Sequence, residues 1–325
     1  MFRSFLKCLA VASACTLAAP PVALAQSYPT KSIRLICPFP PGGAVDIASR
    51  AIANELSKTI GQQVVVENKP GAGGNIGGAE AARAAPDGYT IFMTTSGINA
   101  INPALYSKMP FDPNKDLAPV SALVSLNNVL VVHPSVTAKS VTDVIAMAKA
   151  QPGKMTYASS GSGTSIHMSA EMFKHLAKVD ILHIPYKGSS PALIDMLGGQ
   201  VMMMFDNVPS ALPHIKSGKL RALATTGAKR DATLPDLPTI AEAGVPGYES
   251  GVWFGLLVPA GTPRDIVAKL NAEAVKGTKS PEFVKRMTDL GYNIIGSTPE
   301  QMTEMLKTEL NTWGPIVKAS GAKAE

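Results

Sequence analysis

The residues best placed to do chemistry lie in Cys37-Pro-Phe-Pro-Pro-Gly-Gly-Ala-Val-Asp46, and the chemistry they suit is anion capture. The segment falls where a strand over Ile33–Cys37 stops and a helix over residues 44–59 begins. Pro38, Pro40 and Pro41 carry no backbone donor and stiffen the approach. Gly42-Gly43 then lets a ligand come close to bare peptide N–H groups. The first turn of a helix holds N–H groups without internal partners and a partial positive charge, which fits a carboxylate. No Lys or Arg lies in the loop, so backbone dipoles would do the holding. Phe39, Pro40, Pro41, Gly42 and Gly43 are therefore binding candidates. Pro-Gly-Gly taken alone also reads as an ordinary strand–helix connector.

Two further turns share this build. Thr95-Ser96-Gly97-Ile98-Asn99 follows a strand over Thr90–Thr95, and Ser160-Gly161-Ser162-Gly163-Thr164-Ser165 follows one over residues 155–159. Each alone reads as a helix cap. Together they mark a cleft, because ligands of open α/β sheets bind beyond the C-terminal ends of the strands. Ser96 and Asn99 are the candidates from the first of these turns. Ser160, Gly161, Ser162 and Thr164 offer hydroxyls and peptide groups for a second carboxylate or a carbonyl.

Other side chains carry less. His167 and Glu171 are four apart on a helix, yet no third ligand has fitting spacing, so a structural hydrogen bond is expected instead of a metal. Met202, Met203 and Met204 alternate between strand faces and cannot converge on one ion. No metal or cofactor is expected. Trp253 and Phe254 are adjacent on a strand, so one ring should wall the cleft and the other face the core. Lys187 stands near a strand end, where it either meets a distal ligand carboxylate or caps a helix.

The positioning elements alternate. Strands at 33–37, 64–67 and 90–95 enclose helices at 44–59 and 75–84, a parallel α/β unit with right-handed crossovers. The apolar run 120–132 has a polar middle, Ser125-Leu126-Asn127-Asn128, which suits a strand crossing between lobes. A second series follows, with strands near 155–159, 181–185, 201–205 and 220–225 and helices at 141–150, 165–177, 191–197 and 209–216. Residues 251–258 read as a return strand, and helices at 264–276, 281–290 and 299–319 finish the chain. The expected fold is α/β with two lobes, residues 26–124 plus 250–325 forming one and 125–249 the other.

Composition narrows the class. Residues 1–25 read as a secretion signal, with Arg3 and Lys7 ahead of an apolar stretch and Ala23-Leu24-Ala25 as the cleavage site after Ala25. Ser13, Thr16 and Pro20-Pro21 interrupt that stretch, which argues against a membrane anchor. Lipid attachment at Cys15 is the weaker alternative. Cleavage would leave Cys37 alone, so no internal disulfide can form, and the periplasm is the expected location. The net charge of +6 falls to +4 once Arg3 and Lys7 are removed, with no basic run, and nucleic acid is not an expected partner.

These motifs resemble the substrate-binding receptors of tripartite tricarboxylate transporters, the Bug family. The matching segments are Pro38-Phe-Pro-Pro-Gly-Gly-Ala-Val-Asp-Ile-Ala-Ser-Arg50, Glu67-Asn-Lys-Pro-Gly-Ala-Gly-Gly-Asn75, Pro86-Asp-Gly-Tyr-Thr90, Ser160-Gly-Ser-Gly-Thr164 with His167, and His183-Ile-Pro-Tyr-Lys-Gly188. The resemblance covers the chain beyond the leader and implies a Venus-flytrap fold of the type II kind, each lobe a mainly parallel sheet flanked by helices. It implies a monomer that captures a small carboxylate (a di- or tricarboxylate, an acidic amino acid or an aromatic acid) for membrane permease subunits. It also implies that residues 39–43 hold one carboxylate, partly through waters, while Ser160–Thr164 contributes from the other lobe. Asp46 is the motif acid, read as fixing the loop by hydrogen bonds, since a carboxylate facing an anion would repel it. Tyr186 and Asp206 complete the ligand-binding candidates. Met202 departs from the family, which often places an acid there.

Two other classes compete. An exported hydrolase would need a Gly-x-Ser-x-Gly elbow, and Gly161-Ser162-Gly163 lacks that spacing, so no enzyme is expected. A periplasmic sensor or scaffold feeding a signalling protein would use the same fold.

Overall fold

Two series of strand–helix repeats are threaded on two long strands. The computed structural model describes residues 28–320 and 323–324; the expected signal peptide and its cleavage site lie outside the described residues. The first series is β1 (Ile33–Cys37), α1 (Ala44–Ile60), β2 (Val64–Asn68), α2 (Asn75–Ala82), β3 (Thr90–Thr95) and α3 (Asn102–Leu105). It leads into β4 (Leu117–Val132). The second series is α4 (Val141–Ala150), β5 (Thr156–Ser159), α5 (Ser165–Ala177), β6 (Leu182–Pro185), α6 (Ser189–Leu197), β7 (Met203–Asn207), α7 (Val208–Lys216) and β8 (Arg221–Thr225). β9 (Gly251–Pro259) returns, and α8 (Arg264–Thr278), α9 (Pro281–Asp289), β10 (Tyr292–Ile294) and α10 (Pro299–Ser320) close the chain. No described helix is long and apolar enough to cross a membrane.

The sheet is mixed, in the order β2-β1-β3-β9-β4-β7-β5-β6. β1 pairs in parallel with β2 and β3, and β5 with β6 and β7, as right-handed crossovers require. Every antiparallel pair involves β4 or β9. β4 changes partners midway: residues 117–127 pair with β9, and 128–132 with β7.

The polar middle of β4 lies at that change. Asn128 is fully buried, so its polar groups need partners. Its N–H donates to Thr226 Oγ1 (2.8 Å), and Thr226 N–H returns a bond to its carbonyl (2.9 Å). Thr226 Oγ1 also donates to Ser250 O (2.7 Å), and Ser250 N–H donates to Thr226 O (2.9 Å). Both chain crossings therefore meet in one hydrogen-bonded knot.

The buried apolar side chains divide at the same place. One cluster draws on residues 33–126 and 252–306, and two others draw on 129–248. Met203 and Met204 enter different clusters, as alternation requires. A small fourth cluster joins Ile101 and Leu105 to Met168 of α5 through Trp313 and Val317 of α10. Elements that escaped the sequence pattern include β10, α3 and the π-turn before it. β10 is three residues long and is held by pairing with residues 124–126 of β4, and Gly97–Ile101 forms a π-turn leading into α3.

Candidate functional site

The first loop is held from behind. Gly42 takes a left-handed φ of 86°, and its N–H donates to Asp46 Oδ2 at 3.0 Å. Arg50 Nε donates to the same oxygen (3.0 Å), and Asn68 Nδ2 donates to Asp46 Oδ1 and to Phe39 O (both 2.8 Å). Arg50 in turn donates to Asn68 Oδ1 at 3.0 Å. Burial alone would raise the Asp46 pKa, but the bonds from Arg50, Asn68 and Gly42 hold it below the ordinary carboxylate value. Its charge is spent on the loop, so it does not confront a ligand. The turn's receptive donors thus begin at Gly43, which N-caps α1 with extended backbone (φ −80°, ψ 167°). Tyr292 Oη donates to Ala44 O (2.6 Å) and secures this first turn.

The second turn has the same logic. Gly161 and Gly163 have φ of 122° and 83°, conformations that favour glycine. Gly161 N–H donates to Ser159 Oγ (3.1 Å), Gly163 N–H to His167 Nδ1 (3.3 Å), and Thr164 Oγ1 to Gly161 O (2.8 Å). Thr164 Oγ1 also accepts from His167 N–H (3.3 Å) and so caps α5.

These turns face each other across a cleft with two chambers. The inner chamber, about 30 Å³, is lined by Phe39, Pro40 and Gly43 on one side and Ser160, Thr164 and Ser165 on the other. Thr95, Ser189, Asn207 and Phe254 complete its wall. An outer chamber of about 210 Å³ runs past Gly71–Gly74, Tyr106, Gly161, Ser162, Tyr186 and Lys187. Phe39 and Ser160 line both. Ser190 Oγ donates to Pro41 O (2.7 Å) and Tyr106 Oη to Ser162 O (3.1 Å), closing the rim.

Several candidates stand one step back from the chambers. Pro41 and Gly42 are exposed at the rim. Ser96 is buried with its hydroxyl unpartnered, and Thr95 lines the wall in its place. Asn99 accepts from Thr94 Oγ1 and donates to Pro113 O (3.4 Å), which turns it away from the chambers. Asp206 is fully buried behind Ser189, whose hydroxyl donates to Asp206 Oδ1 at 2.6 Å. Burial pushes its pKa up to about 6 against the opposing bonds from Ser189, Ser210 and Asn207. Tyr186 Oη donates to Asp195 (2.7 Å), and burial first, then that bond, pushes the phenol up to about 12.

Sequence reasoning missed Ser165, Ser189 and Asn207. Ser189 starts α6 behind Gly188, and Asn207 precedes Val208-Pro209 at the start of α7. Both repeat the strand–turn–helix signal already used for the other loops. Phe254 walls the inner chamber while Trp253 packs into the core, the division expected of adjacent strand residues. His167 and Glu171 make hydrogen bonds, the latter accepting from Tyr157 Oη at 2.5 Å. Lys187 lines the outer chamber.

Two lobes joined by crossing strands, with helix-start turns facing across the cleft, define the periplasmic binding protein class. The profile of the family described as tripartite tricarboxylate transporter family receptor (TctC) matches residues 48–322, and the chain belongs to that family. It is 37% identical over 300 residues to Protein BugT of Bordetella pertussis, covering 92% of each chain. The R. palustris Rpa4515 structure with adipate superposes with a TM-score of 0.89 at 38% identity, covering 91% of this chain and 100% of that one. MatC (Rpa3494) from Rhodopseudomonas palustris with bound malate gives 0.86 at 33% identity, covering 89% and 100%.

Proposed function

We propose that this protein is an exported receptor, cleaved after Ala25, that closes its lobes on a small carboxylate and presents it to the membrane permease of a tripartite tricarboxylate transporter. It acts as a monomer, with one lobe formed by residues 26–124 plus 250–325 and the other by 125–249. It performs no turnover. The observation that carries this reading is the shared inner chamber, where the open start of α1 at Gly43 faces Ser160 and Thr164. Backbone donors at a helix start suit a carboxylate without any cation.

Lys187 adds a second recognition point. It is the one charged residue among those lining the two chambers. A ligand with its head at Gly43 and its tail past Phe39 and Ser160 would carry its second acid toward Lys187, which favours dicarboxylates. The two similar structures above contain adipate and malate, molecules of that kind. The inner chamber has room for only about two waters, so the lobes part to admit a ligand.

A thermal-shift screen of adipate, malate, citrate, glutamate and benzoate tests this reading. Stabilisation by dicarboxylates without consumption of the ligand is expected. Stabilisation by none of them, or hydrolysis of simple esters, would overturn it.

A further inference from the structure

We propose that His167 and His183 are positioning residues for the ligand turn: two stacked neutral imidazoles that accept from its donors and keep it in receptive shape. The inference rests on reading residues 160–165 as one wall of the carboxylate site. Their roles follow from the direction of each bond.

Gly163 N–H points at His167 Nδ1 from 3.3 Å, so Nδ1 must hold a lone pair and the ring proton belongs on Nε2. Gly161 N–H donates to Ser159 Oγ, and that buried hydroxyl lies 2.6 Å from His183 Nε2. With the Ser159 proton directed at Nε2, His183 carries its own proton on Nδ1. Each glycine of the turn is thus anchored, directly or through one hydroxyl, on an imidazole acceptor. A neutral imidazole presents a nitrogen lone pair to such a donor and loses it on protonation.

The stack holds both rings in place. His167 and His183 lie 4.3 Å apart between centroids at 21°, and His183 stacks on Tyr157 at 4.8 Å and 14°. The charged and titratable groups acting on the pair are Tyr157 from β5 and Glu171 and Lys174 from α5. Glu171 accepts from both Tyr157 Oη and Lys174 Nζ, so its charge is already engaged. Burial, aided by Lys174, pushes His167 down to about 4. Burial and the neighbouring His167 push His183 down to about 3. Protonating His167 would set a donor against the Gly163 donor and release the turn.

Nitrogen-15 NMR of the imidazoles at pH 7 tests the geometry without any ligand. His167 should carry its proton on Nε2 and His183 on Nδ1; the opposite tautomer at either ring, or a charged ring, would overturn the assignment. Calorimetry with adipate as probe then separates positioning from bulk stability. His167→Asn, which puts an amide oxygen near the Nδ1 position, should bind within about 3-fold of wild type at pH 7, and His167→Leu roughly 10-fold or more weaker. The ratio of wild-type to His167→Asn dissociation constants should stay flat from pH 7 to 5 and rise only as pH falls through about 4, where the His167 ring takes its proton, because ligand protonation cancels in that ratio. A ratio that stays constant through about pH 4, or a folded His167→Leu protein with wild-type affinity, would refute the proposal. Failure of wild type to bind adipate or malate strikes only the functional reading, and the tautomers then decide this inference by themselves.

Discussion

Gly43→Val probes the anion site where a side chain has most to obstruct. The backbone at Gly43 is extended, so valine meets no conformational penalty there. A Cβ would lie 3.8 Å from Ser189 Cβ and 3.9 Å from Pro40 O, ordinary contact distances. Replacing a helix N-cap glycine by valine costs about 1 kcal/mol, small against a typical stability of about 5–15 kcal/mol. The fold should survive. Binding should not, because the added branch stands between the first N–H groups of α1 and a chamber of only about 30 Å³. Losing one hydrogen bond to a charged ligand costs about 1.5–3 kcal/mol, which is roughly 10- to 150-fold in Kd. Gly42→Ala is the control with the opposite signature. Its φ of 86° makes any side chain costly by about 1–2 kcal/mol, yet its N–H serves Asp46 and not the chamber. Calorimetry with the best dicarboxylate from the screen, alongside urea unfolding, separates the two. Wild-type affinity in folded Gly43→Val, or a larger affinity loss in Gly42→Ala, would refute the assignment.

Asp46→Ala removes the acceptor for Gly42, Asn68 and Arg50 and should lower stability by about 2–3 kcal/mol, with weakened binding, both measured by denaturant unfolding and calorimetry. Asp206, held at about 6 by burial, binds its proton more tightly folded than unfolded. Its contribution to stability is therefore full below about pH 4 and falls by about 3 kcal/mol as pH rises to 6. That slope should vanish from the unfolding curves of Asp206→Asn, and its persistence would assign the slope elsewhere. Lys187→Met should weaken dicarboxylates about 2- to 5-fold, as expected for an exposed charge, and leave hexanoate unaffected; equal losses for adipate and hexanoate would exclude a charge role. Saturating ligand at about 100 times its Kd should add roughly 2.7 kcal/mol of stability and shrink the radius of gyration in small-angle scattering, whereas identical curves would mean a rigid pocket.

What the sequence made legible shares one physical cause. Helix starts, glycine turns and strand ends are written locally, so β1, the start of α1 and the Ser160–Ser165 turn could be read from a few adjacent residues. Asp46 was legible as a support because chemistry forbids an acid pointed at an anion. Its partners were not: Asn68 is 22 residues away, and only the parallel register of β1 with β2, placing Cys37 opposite Asn68, brings it behind the loop. Ser189 and Asn207 carry the local strand–turn–helix signal, but that they share one wall depends on how β5, β6 and β7 stack side by side.

The Thr95-Ser96 boundary shows where local reading fails even at short range. Both residues are small hydroxyl carriers at a strand end, and composition treats them alike. The last position of β3 still obeys alternation and aims Thr95 at the chamber, while Ser96 has already left extended geometry (φ −52°, ψ −33°) to cap the π-turn that follows. Asn99 lies inside that turn and spends its amide on Thr94 and Pro113. Elements of the site are therefore local, whereas the facing of each side chain is set by the residue at which one backbone geometry yields to the next. In this cleft that switch decides which hydroxyl meets the ligand, so Thr95→Val should impair binding more than Ser96→Ala, and calorimetry giving the reverse order would show that the strand ends one residue later in the ligand-bound state.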